Sequence, residues 1–416
     1  MSAAVHRRHA PSWVVLTCLA LGGAALPAAR AGASAAAPDE IHWTILGPDS
    51  VAIAWRGGGN SVSVWPEQQP AAATSVTAAP RPGRHRSAVV RGLSPDRAYR
   101  YRIAGAPAQD DHLLRTPPVA CDAPFSFAVE GDIGAGNRSP AAPAVQALIA
   151  RARPRFVLAL GDLAYADGDE STVNRHFNDV MIWSGDAAYM PTWGNHDWMY
   201  GRGGDLALYK ARFELPHAQS SPDAPAAGCC EKDWSWFDYG CLRVITYPEP
   251  YQPATWRDWA ERAEPIFRAA QADPRIRFIV TAGHRPAFTS GGHHGEGRLR
   301  KILNHFARTF DKYVLNVAGH NHDYERTKRM HGVVHLTVGT GGARLERQPT
   351  PSGWPECETP SRTRFRAFRH GALIVTVAAD RITGKFICGP PSAQDDVSCA
   401  EGAVLDEFAI EARKQD

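Results

Sequence analysis

The chain has 416 residues, with 46 Lys and Arg against 43 Asp and Glu, a net charge of +3 and a sequence pI near 8.4. That length supports two or three domains and a large core. So mild a charge, with no cluster of Lys and Arg following one element, gives no argument for a nucleic-acid partner, and none is expected.

Residues 1–31 read as an export signal. His6, Arg7, Arg8 and His9 make a basic start, Trp13 to Leu26 an apolar run, and Ala29-Arg30-Ala31 a small-x-small cleavage site. The apolar run falls short of the ~20 residues that cross a bilayer. No other segment is long and apolar enough, so no membrane contact is expected and the mature chain would begin near Gly32, secreted or periplasmic. Seven of the eight cysteines lie beyond the signal. Export makes disulfides the expectation. Cys388 with Cys399 across a Pro-rich turn, and Cys241 with the vicinal pair Cys229-Cys230, are the expected bridges. No C-x-x-C spacing supports a cysteine metal site.

From Ile41, short strands (Val51 to Trp55, Ser61 to Trp65, His85 to Val90, Tyr99 to Ile103) alternate with Gly, Pro and Ser clusters, the mark of a β-sandwich. Leu93-Ser94-Pro95-Asp96-Arg97-Ala98-Tyr99 resembles the tyrosine corner of fibronectin type III domains, whose Tyr hydroxyl bonds back to the chain upstream. Residues 38–118 are therefore expected to form such a module. It gathers no catalytic side chains, so it is expected to pack beside the next domain or shape the approach to it, with carbohydrate or protein binding as the alternative.

After the linker Thr116-Pro117-Pro118, five short apolar runs each end in glycine and a metal-type ligand. Phe125 to Glu130 leads to Gly131-Asp132-Ile133-Gly134, Phe156 to Leu160 to Gly161-Asp162-Leu163-Ala164-Tyr165, and Met190 to Trp193 to Gly194-Asn195-His196-Asp197. Phe278 to Ala282 leads to Gly283-His284, and Tyr313 to Ala318 to Gly319-His320-Asn321-His322. Such runs suit strands buried on both faces, and ligands at their ends gather along one edge of a parallel sheet. In a strand His320 and His322 would point the same way; in a tight turn after Gly319 they would splay toward two ions. Between the blocks, Ser139-Pro140 offers an N-cap and first-turn proline ahead of Val145, Leu148 and Ile149. Trp259, Ala263, Phe267 and Ala270 give a second helical face, and Leu299, Leu303 and Phe306 a third. Trp198 to Ala227 is expected as a long loop. Trp234 to Ile245 and the C-terminal runs Leu373 to Val377, Lys385 to Cys388 and Val404 to Ile410 read as further strands.

The five blocks in this order resemble the calcineurin-like metallophosphoesterase superfamily, and Tyr165, three residues after Asp162, narrows the resemblance to the purple acid phosphatases. That implies a four-layer α/β/β/α sandwich over residues 122–416, an α/β domain preceded by the all-β module. It implies hydrolysis of phosphate monoesters by a hydroxide held between two metal ions. Asp162 would bridge them. Asp132, Tyr165 and His322 would hold the first ion and Asn195, His284 and His320 the second. Hard anionic donors suit Fe(III), and Asn with two imidazoles suits divalent Zn, Fe or Mn. By the same resemblance His196, His293 and His294 are candidates to protonate the leaving group, and Asp197, where the family usually has Glu, orients its neighbours. Asp323 to Arg326 are expected to brace the last ligand loop, and Asp167 to be loop structure. A phosphodiesterase or nucleotide pyrophosphatase would carry the same ligands. An inert binding protein would have lost some, and all seven are present.

Overall fold

The computed structural model describes residues 37–107, 109–199, 206–221, 232–346 and 362–413. The export signal, Cys229, Cys230 and Cys357 lie outside the described residues. Among those described, no helix is long and apolar enough to cross a membrane.

Residues 39–115 form two four-stranded antiparallel sheets. Alternation of the strands Ser61–Pro66 and Ala98–Ile103 turns Val62, Val64, Tyr99, Tyr101 and Ile103 inward onto Trp43, Ile45 and Trp55. The Tyr99 hydroxyl accepts the Ser94 N–H at 2.8 Å, closing the corner from five residues downstream.

The rest of the chain is a mixed α/β sandwich of two sheets. In the first, Ala188–Thr192, Phe156–Leu160 and Phe125–Glu130 run parallel and continue into the antiparallel strands Gly371–Val377, Arg381–Cys388 and Val404–Glu411. In the second, Leu242–Thr246, Phe278–Ala282, Tyr313–Ala318 and Val334–Val338 are parallel, flanked by Trp236–Tyr239, Tyr324–Thr327 and Thr363–Ala367. The period of two sends Phe127, Val129, Leu158 and Leu160 toward Val244, Val280, Leu315 and Val317 between the sheets. It sends Ala128, Val157 and Ala159 outward onto Val145 and Ile149 of the helix Ala142–Ala152. On the opposite outer face Ile245, Ile279 and Tyr313 meet Trp259 and Phe267 of Thr255–Ala272 and Leu303 and Phe306 of Gly297–Thr309. Each central strand thus buries both faces, at about 1.5–3 kcal/mol per large side chain.

Three local expectations are corrected. Cys241 bonds to Cys121, not to the vicinal pair, because the turn at Gly240 brings it beside the start of the first strand; Cys388–Cys399 is as expected. The first helix starts after Ala141, with Pro143 rather than Pro140 in its first turn, where a missing N–H costs nothing. The expected loop after Trp198 contains the helix Leu206–Arg212, whose Leu206 and Tyr209 pack into the core beside Trp193.

Candidate metal centre

Five parallel strands end at one edge, and three of the turns that follow them are backbone-strained. Asp132, Asp162, Tyr165 and His320 have φ of 57°, 51°, 52° and 72°, in the left-handed region that costs about 1–2 kcal/mol for a residue with a Cβ. Three ladder-like bonds between the first two turns hold them there: Asp132 N–H to Gly161 O, Ile133 N–H to Asp162 O and Gly134 N–H to Leu163 O. The glycine before Asn195 is required by space. A Cβ on Gly194 would lie 2.2 Å from Asp162 Oδ1, and one on Gly319 would lie 2.7 Å from Asp132 Oδ2.

Ligand atoms of Asp132, Asp162 and His284, all buried, lie within 4.8 Å of one another. On one side Tyr165 Oη donates to Asp132 Oδ1 at 3.1 Å and stands 2.9 Å from His322 Nε2, itself 3.3 Å from Asp132 Oδ1. On the other, His284 Nε2 is 3.0 Å from Asn195 Oδ1 and 3.4 Å from Asp162 Oδ2. The H-x-H segment is a turn, not a strand: His322 faces Tyr165, whereas the His320 ring lies 5.0 Å from that of His284. The His320 N–H is given to Asp132 Oδ2 and its Nε2 faces Arg285 Nη1 at 3.3 Å.

Burial penalises every charge here, and the carboxylates overrule it at two histidines. His284 is pulled down by burial but raised to about 10 by Asp162 and Asp132, and His322 against the same burial to about 9 by Asp132. Burial would raise Asp162, yet His284 and His196 hold it at about 2. His320, buried and facing His284 and Arg285, is pushed well below its usual value; burial and Asp132 push Tyr165 well above its own. The donor set therefore fits cations. Buried acid groups and imidazoles converge with only protons to balance them, and metal binding at such a site exchanges those protons for the ion.

Asp197 is fully buried and its carboxylate accepts the backbone N–H of Asp162, Leu163 and Gly194, so it shapes the turns and does not reach the cavity. His196 gives its N–H to Asp162 Oδ1, and its ring packs on Tyr165 with Nδ1 3.5 Å from Asp167. A cavity of about 920 Å³ opens over this point, lined by Tyr165, His196, His293, His322, Arg138 and Glu346 among others. His293 and His294 are both exposed; His293 lies 3.2 Å from Glu346 and lines the cavity, whereas the adjacent His294 does not line it. Asp167, bonded to Arg138 on its other oxygen, and Glu346 were not indicated by any motif. Tyr324 is buried between the sheets, stacked on Phe386 and bonded to Asp406.

Residues 125–324 match the family described as Calcineurin-like phosphoesterase, so the chain carries a calcineurin-like phosphoesterase domain. It is related to the purple acid phosphatases. Purple acid phosphatase 21 of Arabidopsis thaliana is 27% identical over 302 residues, covering 68% of this chain and 63% of that protein. A phosphoenolpyruvate phosphatase of Allium cepa is 24% identical over 320 residues, covering 67% and 60%. The chain thus spans less than two thirds of these curated relatives. Among solved structures, the purple acid phosphatase PPD1 from yellow lupin (Lupinus luteus) seeds gives a TM-score of 0.68 at 19% identity, covering 90% of this chain and 74% of that one. PhoD gives 0.65 at 11%, covering 90% of each. At these identities the likeness is one of fold.

Proposed function

We propose that the chain is an exported phosphatase that hydrolyses small phosphate monoesters at a pair of metal ions. The observation that carries this reading is the convergence of Asp132, Asp162 and His284, with Tyr165 and His322 on one flank and Asn195 on the other. When bound, two cations supply charge for the phosphate oxygens and an activated water. Asp162, between the two sets, would bridge the ions. Asp132, Tyr165 and His322 make the harder, anionic set suited to Fe(III), and Asn195, His284 and His320 the set suited to a divalent Zn, Fe or Mn ion.

Phosphoryl transfer asks the chain for positioning and charge more than for a covalent nucleophile. His196 is fixed at its backbone by Asp162 and at its ring by Tyr165 and Asp167, and it faces the cavity, where it hands a proton to the departing alkoxide. His293, held by Glu346 on the opposite wall, engages the phosphoryl oxygens. His196→Ala is expected to slow alkyl esters by about a hundredfold or more while leaving activated aryl esters nearly unaffected, because only the former need the proton. Equal losses on both would make His196 a binding residue.

The direct test is metal analysis of purified protein together with a panel of mono- and diesters. Two ions per chain and a preference for monoesters are expected; preferred hydrolysis of diesters, or none with both ions present, overturns the reading. Iron-loaded protein should carry a violet to pink tyrosinate-to-Fe(III) band. Tyr165→Phe should bleach it and keep part of the activity, since Asp162 and the other ligands remain. An unchanged band in that variant removes Tyr165 from the ligand set.

A further inference from the structure

Residues 290–294 lie outside the strands and helices and contain Gly291 and Gly292, so no regular element carries His293 to the cavity wall. What holds it is the residue between the two histidines of the H-x-H turn. Asn321, 1% exposed, accepts the His293 N–H at 2.7 Å through Oδ1 and donates to the His293 carbonyl at 3.2 Å through Nδ2. One side chain thereby satisfies both backbone groups of His293, as a neighbouring strand would. The same Nδ2 donates to Thr289 Oγ1 at 3.0 Å, and that hydroxyl also takes the Gly291 N–H and donates to the Glu325 carboxylate. Glu325 further accepts the Ser290 N–H and hydroxyl at 2.6 and 2.9 Å. The segment wraps so closely that a Cβ on Gly291 would lie 2.5 Å from Asn321 Cγ. In consequence the His293 ring stacks on His320, centroids 4.4 Å apart at 29°.

We infer that Asn321 is a positioning residue: its carboxamide clamps the backbone of His293 and so sets where that imidazole meets an incoming phosphoryl group. One turn then places two ion-facing histidines and, through the residue between them, the histidine on the cavity wall. The inference rests on the proposed phosphatase reading for its kinetic consequence, but not for the clamp itself.

The test compares Asn321→Leu, which has similar volume and no hydrogen bonds, with Asn321→Asp, which keeps the acceptor and loses the donor, and with His293→Ala. A misplacement of about 1 Å at a reacting centre costs up to about a hundredfold. Asn321→Leu should lower kcat/KM by roughly tenfold to a hundredfold, and Asn321→Asp by less. Both should weaken inorganic phosphate binding to the metal-loaded protein, keep two ions per chain, and speed amide hydrogen exchange at residues 290–294 over the rest. Adding Asn321→Leu to His293→Ala should cost little more than His293→Ala alone. Multiplying losses in that double variant, or loss of an ion with unchanged exchange at 290–294, overturns the clamp. Absence of phosphatase activity in the wild type would overturn the functional reading, while the exchange measurement still decides the clamp.

Discussion

Asp162→Ala is expected to abolish hydrolysis and both ions together, with a fall in rate of more than about a thousandfold, because the site's cations are each worth several kcal/mol of charge stabilisation. The side chain is 1% exposed and lies between the two ligand sets, one oxygen on His196 N–H and the other 3.4 Å from His284. On the proposed two-ion reading, removing it would leave two cations facing each other with no anion between. Asn195→Ala strips only the His284 flank and should lose mainly the second ion. Alanine at Asp162 also meets a φ of 51°, whereas asparagine tolerates that conformation, so Asp162→Asn separates charge from backbone strain. Metal content and turnover of all three variants decide the matter. If Asp162→Asn keeps two ions and a near-normal rate, Asp162 is not the bridge.

The strands that carry this site are legible in the sequence because Phe156–Leu160 and Phe278–Ala282 bury both faces, and a continuous apolar run closed by glycine has few other readings. The glycines are legible for a second reason: Gly194 and Gly319 face carboxylates too closely for any Cβ. What escapes sequence reading is contact between turns. Asp167 meets His196, and Glu346 meets His293, only because separate strand ends converge; no spacing encodes either pair. His293 and His294 are equivalent as letters; what tells them apart is three-dimensional, the Asn321 bonds to the His293 backbone and the Glu346 carboxylate beside its ring. Cys241 finds Cys121 across 120 positions, a pairing set by Gly240 and the sheet edge, not by proximity in the chain. The helix Leu206–Arg212 is hidden by the Gly-rich residues before it, although its Arg212 bonds to Glu40 of the N-terminal sheets.

Arg212→Leu is accordingly expected to cost about 3 kcal/mol at neutral pH, the low end of the range for breaking a buried ion pair from one side, since Glu40 keeps Arg56 at 2.9 Å. Its guanidinium, 0% exposed, donates to both oxygens of Glu40 at 2.9 and 3.4 Å, to Asn174 Oδ1 at 2.7 Å and to the Leu208 carbonyl at 2.8 Å. Burial raises the Glu40 carboxyl above its usual range, and Arg212, then Arg56, pull it back. Without Arg212 burial prevails further and the folded-state value climbs. The unfolded chain still ionises Glu40 near about 4.3. Above that pH the variant's folded state holds a proton that its unfolded state has released, so its stability falls as pH rises toward the folded value. The deficit relative to wild type should therefore be smallest near pH 4 and largest near pH 7, in urea unfolding followed by tryptophan fluorescence. Adding Glu40→Gln should recover part of the loss, because the buried carboxylate, left with Arg56 at 2.9 Å as its remaining guanidinium, is then gone and Arg56 keeps its 2.6 Å pair with Asp39. A deficit independent of pH, together with a double variant no more stable than Arg212→Leu, would mean that Arg212 acts through packing and its bonds to Asn174 and Leu208, not through the charge of Glu40.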